Sequence, residues 1–507
     1  MNRTWVKYVE KGSWPDTRRF FSVMRCNHCT DAPCVDICPT TALFKREDGI
    51  VDFDTDRCIG CKSCMQACPY DALYVDPQDN TAQKCNYCAH RVDVGLEPAC
   101  VIVCPEQAII AGDLDDPFTR ISKMVATEQL SQRAPEQGTS PNLWYKGVEE
   151  ANIDPLGAVR PGDGGIWSDA PGIENSWLSI DMGGKDGAAQ EPRARRVVAE
   201  GGHPARVVYA NEYPMPWGWR VSSYFLTKGI AAGIGIAAAM ALLFGAGLES
   251  IWMRWAAPLV AGLFLLLTGV LLVWDLKRPD RFYYLLTKGN PRSWLVRGAW
   301  ILGAYAAVLA AWFFAGVAGS EDVVRIAIWA AAVIALGVAG YTAFLFGQAE
   351  GRDLWQSPSL LWHMLAGAFL AGGSLSMIAA LVSDVEAETT STVILEAEGA
   401  ILPGVEAFAW AMVAGAAVLG LVGLFELVSR HPTRNIAEAV HHMIRGAFAA
   451  EWWAGFVLAA AVPLGAAIVV LGGGAVAIGA GGGVAGLAGI WLMDDAFVRA
   501  GQSVPLS

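Results

Sequence analysis

The sequence predicts two unlike parts in one chain: an α+β domain built on cysteine runs, then an all-α bundle of eight membrane-spanning helices. Three observations carry this. All 12 cysteines of the 507 residues fall between positions 26 and 104, in three runs that each end in proline. Over the whole chain 54% of residues are hydrophobic and 17% charged, and the mean hydropathy of +0.35 is high for a soluble protein. The apolar excess is concentrated after residue 217, where runs of helix-spanning length recur.

The cysteine runs come first. "CNHCTDAPCVDICP" supplies Cys26, Cys29, Cys34 and Cys38, and "CIGCKSCMQACP" supplies Cys58, Cys61, Cys64 and Cys68. The second run has the C-x2-C-x2-C-x3-C-P spacing of bacterial ferredoxins. Disulfides are a poor reading, since cysteines two apart seldom bridge each other and the start carries no secretory signal. Structural zinc suits a single C-x2-C pair, but it joins separated pairs and has no use for a triplet plus a fourth cysteine before proline. A triplet grips three iron corners of a [4Fe–4S] cubane, and the fourth cysteine points to a neighbouring cluster. Cys38 is therefore expected to complete the cluster of Cys58, Cys61 and Cys64. Cys68 is expected to complete the cluster of Cys26, Cys29 and Cys34.

The third run, "CNYCAHRVDVGLEPACVIVCP", gives Cys85, Cys88, Cys100 and Cys104. Its triplet would grip a third cluster, and by the exchange rule Cys104 would serve a fourth whose triplet is not in this sequence. Either Cys104 folds back and the run holds one cluster alone, or a further cysteine run stands upstream. The strand-like opening "MNRTWVKYVEKGSWPDTRRFF", without a leader, favours a shortened N-terminus. Two to three clusters are expected, and a fourth if the N-terminus is truncated.

Residues 1–112 read as short strands and helices around the runs, with "DALYVD" and "QAIIAGD" as strands. Residues 113–217, rich in Gly, Pro, Asp and Glu ("RPGDGGIWSDAPGIENS"), read as an irregular connector wrapping the first domain. Residues 218–507 form the membrane domain, with spans at about 222–247, 255–275, 295–318, 324–347, 360–382, 405–428, 453–472 and 474–493. A helix of about 20 residues crosses the roughly 30 Å hydrocarbon layer. A soluble bundle would need polar faces that these runs lack, while their Gly and Ala suit close packing in lipid. Lys and Arg gather in "DLKRPDRFYYLLTKGNPRSWLVR" and "SRHPTRNIAEAVHHMIR", on the side of the cysteine domain. The other side carries "GSEDVVR" and the acidic "SDVEAETTSTVILEAEGA". The positive-inside rule then expects a multi-pass inner-membrane protein with a cytoplasmic cluster domain.

With these residues in view, 20–112 resembles the four-cluster electron-transfer subunits of molybdopterin oxidoreductases. Residues 217–507 resemble the polysulfide-reductase (NrfD-like) membrane subunits, through "WGWRVSSYFLTKGIAAG", "DLKRPDRFYYLL", "YTAFLFGQAEGRDLWQSP" and "FVRAGQSVPLS". The resemblance implies a ferredoxin-like fold for the first domain, a separate molybdopterin-containing catalytic subunit as partner, and a quinone pocket among the first four spans. Tyr224, Asp275 and Tyr341 fall at one depth there; a phenol can donate to a quinone carbonyl and a carboxylate can relay its proton. The bland alternative makes the tyrosines interfacial belt residues.

Haem is not expected, because a bis-histidine site needs two inward histidines. Only His363 lies at a span edge, while His431, His441 and His442 sit in a loop. No nucleotide-binding loop or nucleophile elbow stands out, and a net charge of −12 argues against nucleic acid. The function expected is an electron-transfer and membrane-anchor subunit that links a catalytic partner to the quinone pool. A cluster-driven ion-translocating module ranks lower, since spans one, three and seven show almost no ionisable residues in their middles. A membrane-anchored redox sensor would not need eight spans.

Overall fold

Strand β1 (Thr4–Lys11) turns its alternate residues Trp5, Lys7 and Val9 inward, the period-2 pattern of a strand with one covered face. In the computed structural model it pairs antiparallel with β2 (Arg18–Arg25), so the opening of the sequence is strand, as expected. The structure describes residues 3–12, 15–158, 205–209, 215–390 and 403–507. Much of the connector and residues 391–402 of the acidic 383–404 loop fall outside the described residues, while 383–390, expected as loop, continue a helix.

The chain folds into two units. The first comprises Met1–Pro214 with two short later pieces, Ala349–Arg352 and Pro505–Ser507; the second comprises Met215–Gln348 and Asp353–Val504.

In the first unit the strand Ala205–Tyr209 joins the free edge of β1, closing a three-stranded antiparallel sheet. Val9, Val207, Ala205, Ala151 and Ala158 pack together beneath it. Beside this sheet the first two cysteine runs form two matching modules. In each, a cysteine loop leads into a one-turn helix and then a short hairpin. The first has α1 (Pro33–Asp36) followed by β3 (Leu43–Lys45) and β4 (Val51–Phe53). The second has α2 (Ser63–Ala67) followed by β5 (Tyr74–Val75) and β6 (Ala82–Gln83). The expected strand in "DALYVD" is thus β5. The expected strand in "QAIIAGD" is absent: residues 107–113 make no ladder, and the Ala108 N–H donates to the Cys104 sulfur at 3.2 Å instead. A strand needs a partner for its amides, and here they are turned to a side chain.

In the second unit the described residues contain eight helices long and apolar enough to cross a membrane. They are Trp219–Leu243, Trp252–Asp275, Trp294–Ala318, Glu321–Gly347, Ser359–Val382, Gly404–Val428, Ala449–Leu471 and Val476–Ser503, here called spans 1 to 8. This is the predicted number, with bounds shifted by a few residues, ten at the end of span 8. Span 1 is the central one, packed on spans 2, 4, 5, 6 and 8, with 67% of its apolar window buried. Spans 1 and 5 meet at Gly233 and Gly372, where a Cβ on either would overlap the other's backbone. Small residues let helices approach where lipid gives no hydrophobic drive. The connection holding His441 and His442, expected as a loop, contains a helix over Arg434–Ile444. Thr433 caps it, its Oγ1 accepting from the Ile436 N–H at 3.2 Å.

Candidate functional site

None of the twelve cysteines is in a disulfide. The first two runs exchange their last members. Cys68 stands with Cys26, Cys29 and Cys34. Cys38, Cys58, Cys61 and Cys64 line one cavity together.

The loops between these cysteines are bent in the same unusual way. One residue inside each short loop takes a left-handed backbone: His28 at φ 44°, Gly60 at φ 67°, Lys62 at φ 64° and Tyr87 at φ 56°. Such strain in non-glycine residues persists where surroundings over-determine it, and it aims successive N–H groups into a concavity suited to anions. The N–H of His28 donates to the Cys26 sulfur at 3.5 Å, that of Leu43 to Cys38 at 3.5 Å, and those of Gly60 and Ala82 to Cys58 at 3.4 Å.

Burial pushes the Cys29 thiol up to about 11 and those of Cys61 and Cys68 up to about 12, with Cys34 and Cys64 also well above their ordinary value. Crowded thiols of this kind ionise only when a cation shares the site. Among the described residues no three Cys, His, Asp or Glu side chains converge as one metal ion requires. Thiolates around a single zinc would stand roughly 3.8 Å apart, given a Zn–S bond near 2.3 Å. The donor set, spread around a cavity with N–H groups aimed at sulfur, fits an iron–sulfur cubane.

The third run is different. All four of its cysteines are half-buried, where in the first two runs only Cys58 and Cys61 are. Arg25 donates to the Cys100 sulfur at 3.1 Å. Cys104 faces outward, and the backbone amides of residues 106–109 lower its pKa. Yet the backbone repeats: the third residue after each fourth cysteine is left-handed, namely Thr41 (φ 50°), Asp71 (φ 52°) and Gln107 (φ 51°). The run is folded as the other two are, without a reciprocating run beside Cys104 among the described residues.

In the second unit the three expected residues do come together. Tyr224, buried on span 1, has Tyr341, Thr342 and Asp275 as neighbours, and Asp494 as well. Asp275 is the last residue of span 2, and the Tyr341 ring lies against Gly298 of span 3. Sequence reasoning missed the cation among them. Lys228 is 1% exposed, its Nζ donating to the Ala339 carbonyl at 2.9 Å and to Thr342 Oγ1 at 2.6 Å. It also sits 4.9 Å from the Tyr341 ring centre. His363 lies near the start of span 5, at its edge as expected, and its Nε2 is 2.8 Å from Asp494 Oδ1 on span 8. Phe225, Lys228, His363, Met364 and Asp494 line a cavity between these spans. The signal for Lys228 and Asp494 was in the sequence, as ionisable residues within apolar runs, which membranes tolerate only for cause.

Fold and site together define an iron–sulfur protein with a polytopic membrane anchor. Residues 17–114 match the 4Fe-4S dicluster domain, and residues 207–504 match the family described as "Polysulphide reductase, NrfD". The second match takes in more than half of the protein, which therefore belongs to the NrfD family. The cysteine domain is similar to a tetrathionate reductase subunit of Salmonella typhimurium, 48% identical over 139 residues, 27% of this chain and 56% of that protein. It is also similar to the putative dimethyl sulfoxide reductase iron-sulfur subunit of Halobacterium salinarum, 41% identical over 155 residues, 27% of this chain and 59% of that protein. One of the polysulfide reductase chains of Wolinella succinogenes is 42% identical over 155 residues, 30% of this chain and 80% of that protein. The match spans just over half the length of the first two relatives.

Proposed function

We propose that this chain passes electrons between a separate molybdopterin-containing catalytic subunit and membrane quinone. The observation that carries the reading is the exchange of Cys38 and Cys68 between the first two runs, taken with a buried polar group in the membrane unit. Cys26, Cys29, Cys34 and Cys68 would hold one cluster, and Cys38, Cys58, Cys61 and Cys64 a second. Bound clusters supply one-electron carriers at low potential. Cys85, Cys88 and Cys100 would hold a third. The backbone after Cys104 is folded like that after the two exchanging cysteines.

At the membrane end, Tyr224, Asp275, Tyr341 and Lys228 would receive a quinone head group. The phenols and the ammonium donate to its carbonyls, and Asp275 takes or gives the accompanying proton. Magnitudes favour function over packing at Lys228. A lysine at the centre of a spanning helix costs about 3 kcal/mol, while an interhelical hydrogen bond returns on average about 0.6 kcal/mol. Two such bonds do not offset that cost.

The deciding experiment is anaerobic mixing of the cluster-loaded protein with a quinol, followed by optical and EPR detection of cluster reduction. Wild type should be reduced, and Tyr341→Phe should be much slower with its iron content unchanged. Equal rates would return the tyrosines to an interfacial role. Reporter fusions in the 429–452 connection should label as cytoplasmic, from the Lys/Arg bias.

The second reading, ion translocation, gains one specific observation. Spans 1, 5 and 8 bring Lys228, His363 and Asp494 around one cavity, so span 1 is not free of ionisable groups. Proton uptake by sealed vesicles during quinol oxidation would separate the two readings.

A further inference from the structure

The first unit includes four residues from far along the chain, Ala349–Arg352. Their place in it is fixed by backbone. The Gly351 N–H donates to the Ala67 carbonyl at 3.1 Å. A Cβ on Gly351 would overlap the carbonyls of Gln66 and Cys68, so only glycine lets the two backbones pass. This register sets the next side chain, Arg352, against the end of α2. Arg352 is 6% exposed, and its Nε donates to Gln66 Oε1 at 2.9 Å. One of its terminal nitrogens stands 3.9 Å from Asp71 Oδ1, and the Cys68 thiolate is among the charges it meets. Asp71 is also engaged elsewhere, its Oδ2 accepting from the Leu506 N–H at 3.3 Å.

A guanidinium is costly to bury unless paired, and this one is held among Gln66, Asp71 and the charge at Cys68. The negative charge within its reach that grows during function is that of a cluster on Cys68. Reduction adds one electron, and a fixed cation in a low-dielectric site stabilises the reduced form more than the oxidised form.

We propose that Arg352 sets the potential of the cluster held by Cys26, Cys29, Cys34 and Cys68, raising it so that electrons collect there, with Asp71 as the opposing charge. Arg352 is a positioning and electrostatic residue, not a ligand. The inference rests on the ligand assignment proposed above.

The test is an EPR-monitored redox titration of the full chain with its clusters loaded. Arg352→Gln should move the midpoint potential of one cluster to more negative values and leave the other signals in place. Asp71→Asn should move the same cluster to more positive values, and Arg352→Lys should restore most of the wild-type position. A merely structural role would broaden or lose the signal in both variants without opposite shifts. Unchanged potentials in Arg352→Gln and Asp71→Asn, or shifts of the same sign, would overturn the proposal. If Arg352→Gln fails to hold iron, the sign of the Asp71→Asn shift decides alone. Wild-type protein with fewer than two [4Fe–4S] clusters would instead overturn the ligand assignment.

Discussion

The first two cysteine runs and the third share a spacing logic but not an environment. Cys26, Cys29, Cys34, Cys38, Cys64 and Cys68 are buried and stand in exchanged groups, with backbone N–H bonds to several of their sulfurs. Cys85, Cys88, Cys100 and Cys104 are half-buried, and Cys104 faces out. Local backbone does not make this difference, because the left-handed residue after the fourth cysteine recurs in all three runs. The difference is the presence of a partner. Two runs that fold side by side bury each other's fourth ligand, and a run alone leaves its own at the surface. The sequence of a run therefore determines its loop, and its neighbour determines the burial of its fourth cysteine.

Breaking the exchange should have the largest effect. Cys68→Ser and Cys38→Ser should each remove one whole cubane, about four irons of the roughly eight in the two buried clusters. Cys104→Ser should leave those eight in place. Iron analysis with EPR checks both, and loss of a buried cluster in Cys104→Ser would contradict the comparison.

Iron removal should come next. The buried thiols around each cavity have no substitute core, so chelation should abolish the cooperative unfolding of the cysteine domain. Helical circular dichroism from the membrane spans should persist through the same treatment. A cysteine domain that kept its transition without iron would show a fold independent of its clusters.

Smaller effects belong to the membrane unit. Tyr341→Phe removes one hydrogen bond worth on the order of 1 kcal/mol, about fivefold in rate, with slower proton delivery adding to it. Lys228→Met should cost at least as much in quinol exchange while leaving the protein at least as stable, since the burial of the lysine is itself unfavourable. Asp275→Asn should alter the pH dependence of the exchange. Stopped-flow cluster reduction over a pH series measures all three, and a destabilised Lys228→Met with unchanged rate would mark the lysine as structural.

The cysteine groups, the eight spans and the Tyr224–Asp275–Tyr341 trio were legible in the sequence, because spacing and apolar length are one-dimensional signals. Lys228 was legible too, but it was passed over where a window average hides one charge among apolar neighbours. Its partners Ala339 and Thr342 lie more than a hundred residues away, and His363 and Asp494 lie 131 apart, so no local pattern joins them. The "QAIIAGD" segment misled for a related reason. Its short apolar run suits a strand, but a strand needs a partner, and its Ala108 amide turns to Cys104 instead. Arg352 reads as an ordinary basic loop residue until the fold sets it against Gln66 and Asp71.

Electron movement between the clusters and a quinone held in the membrane unit can be read from the rate at which a quinol reduces the clusters of the iron-loaded chain under anaerobic conditions. Reduction should be rapid in wild type and in Cys104→Ser, and at least fivefold slower in Tyr341→Phe and Lys228→Met at full iron content. Wild-type clusters that stay oxidised under excess quinol, yet are reduced by dithionite, would contradict it.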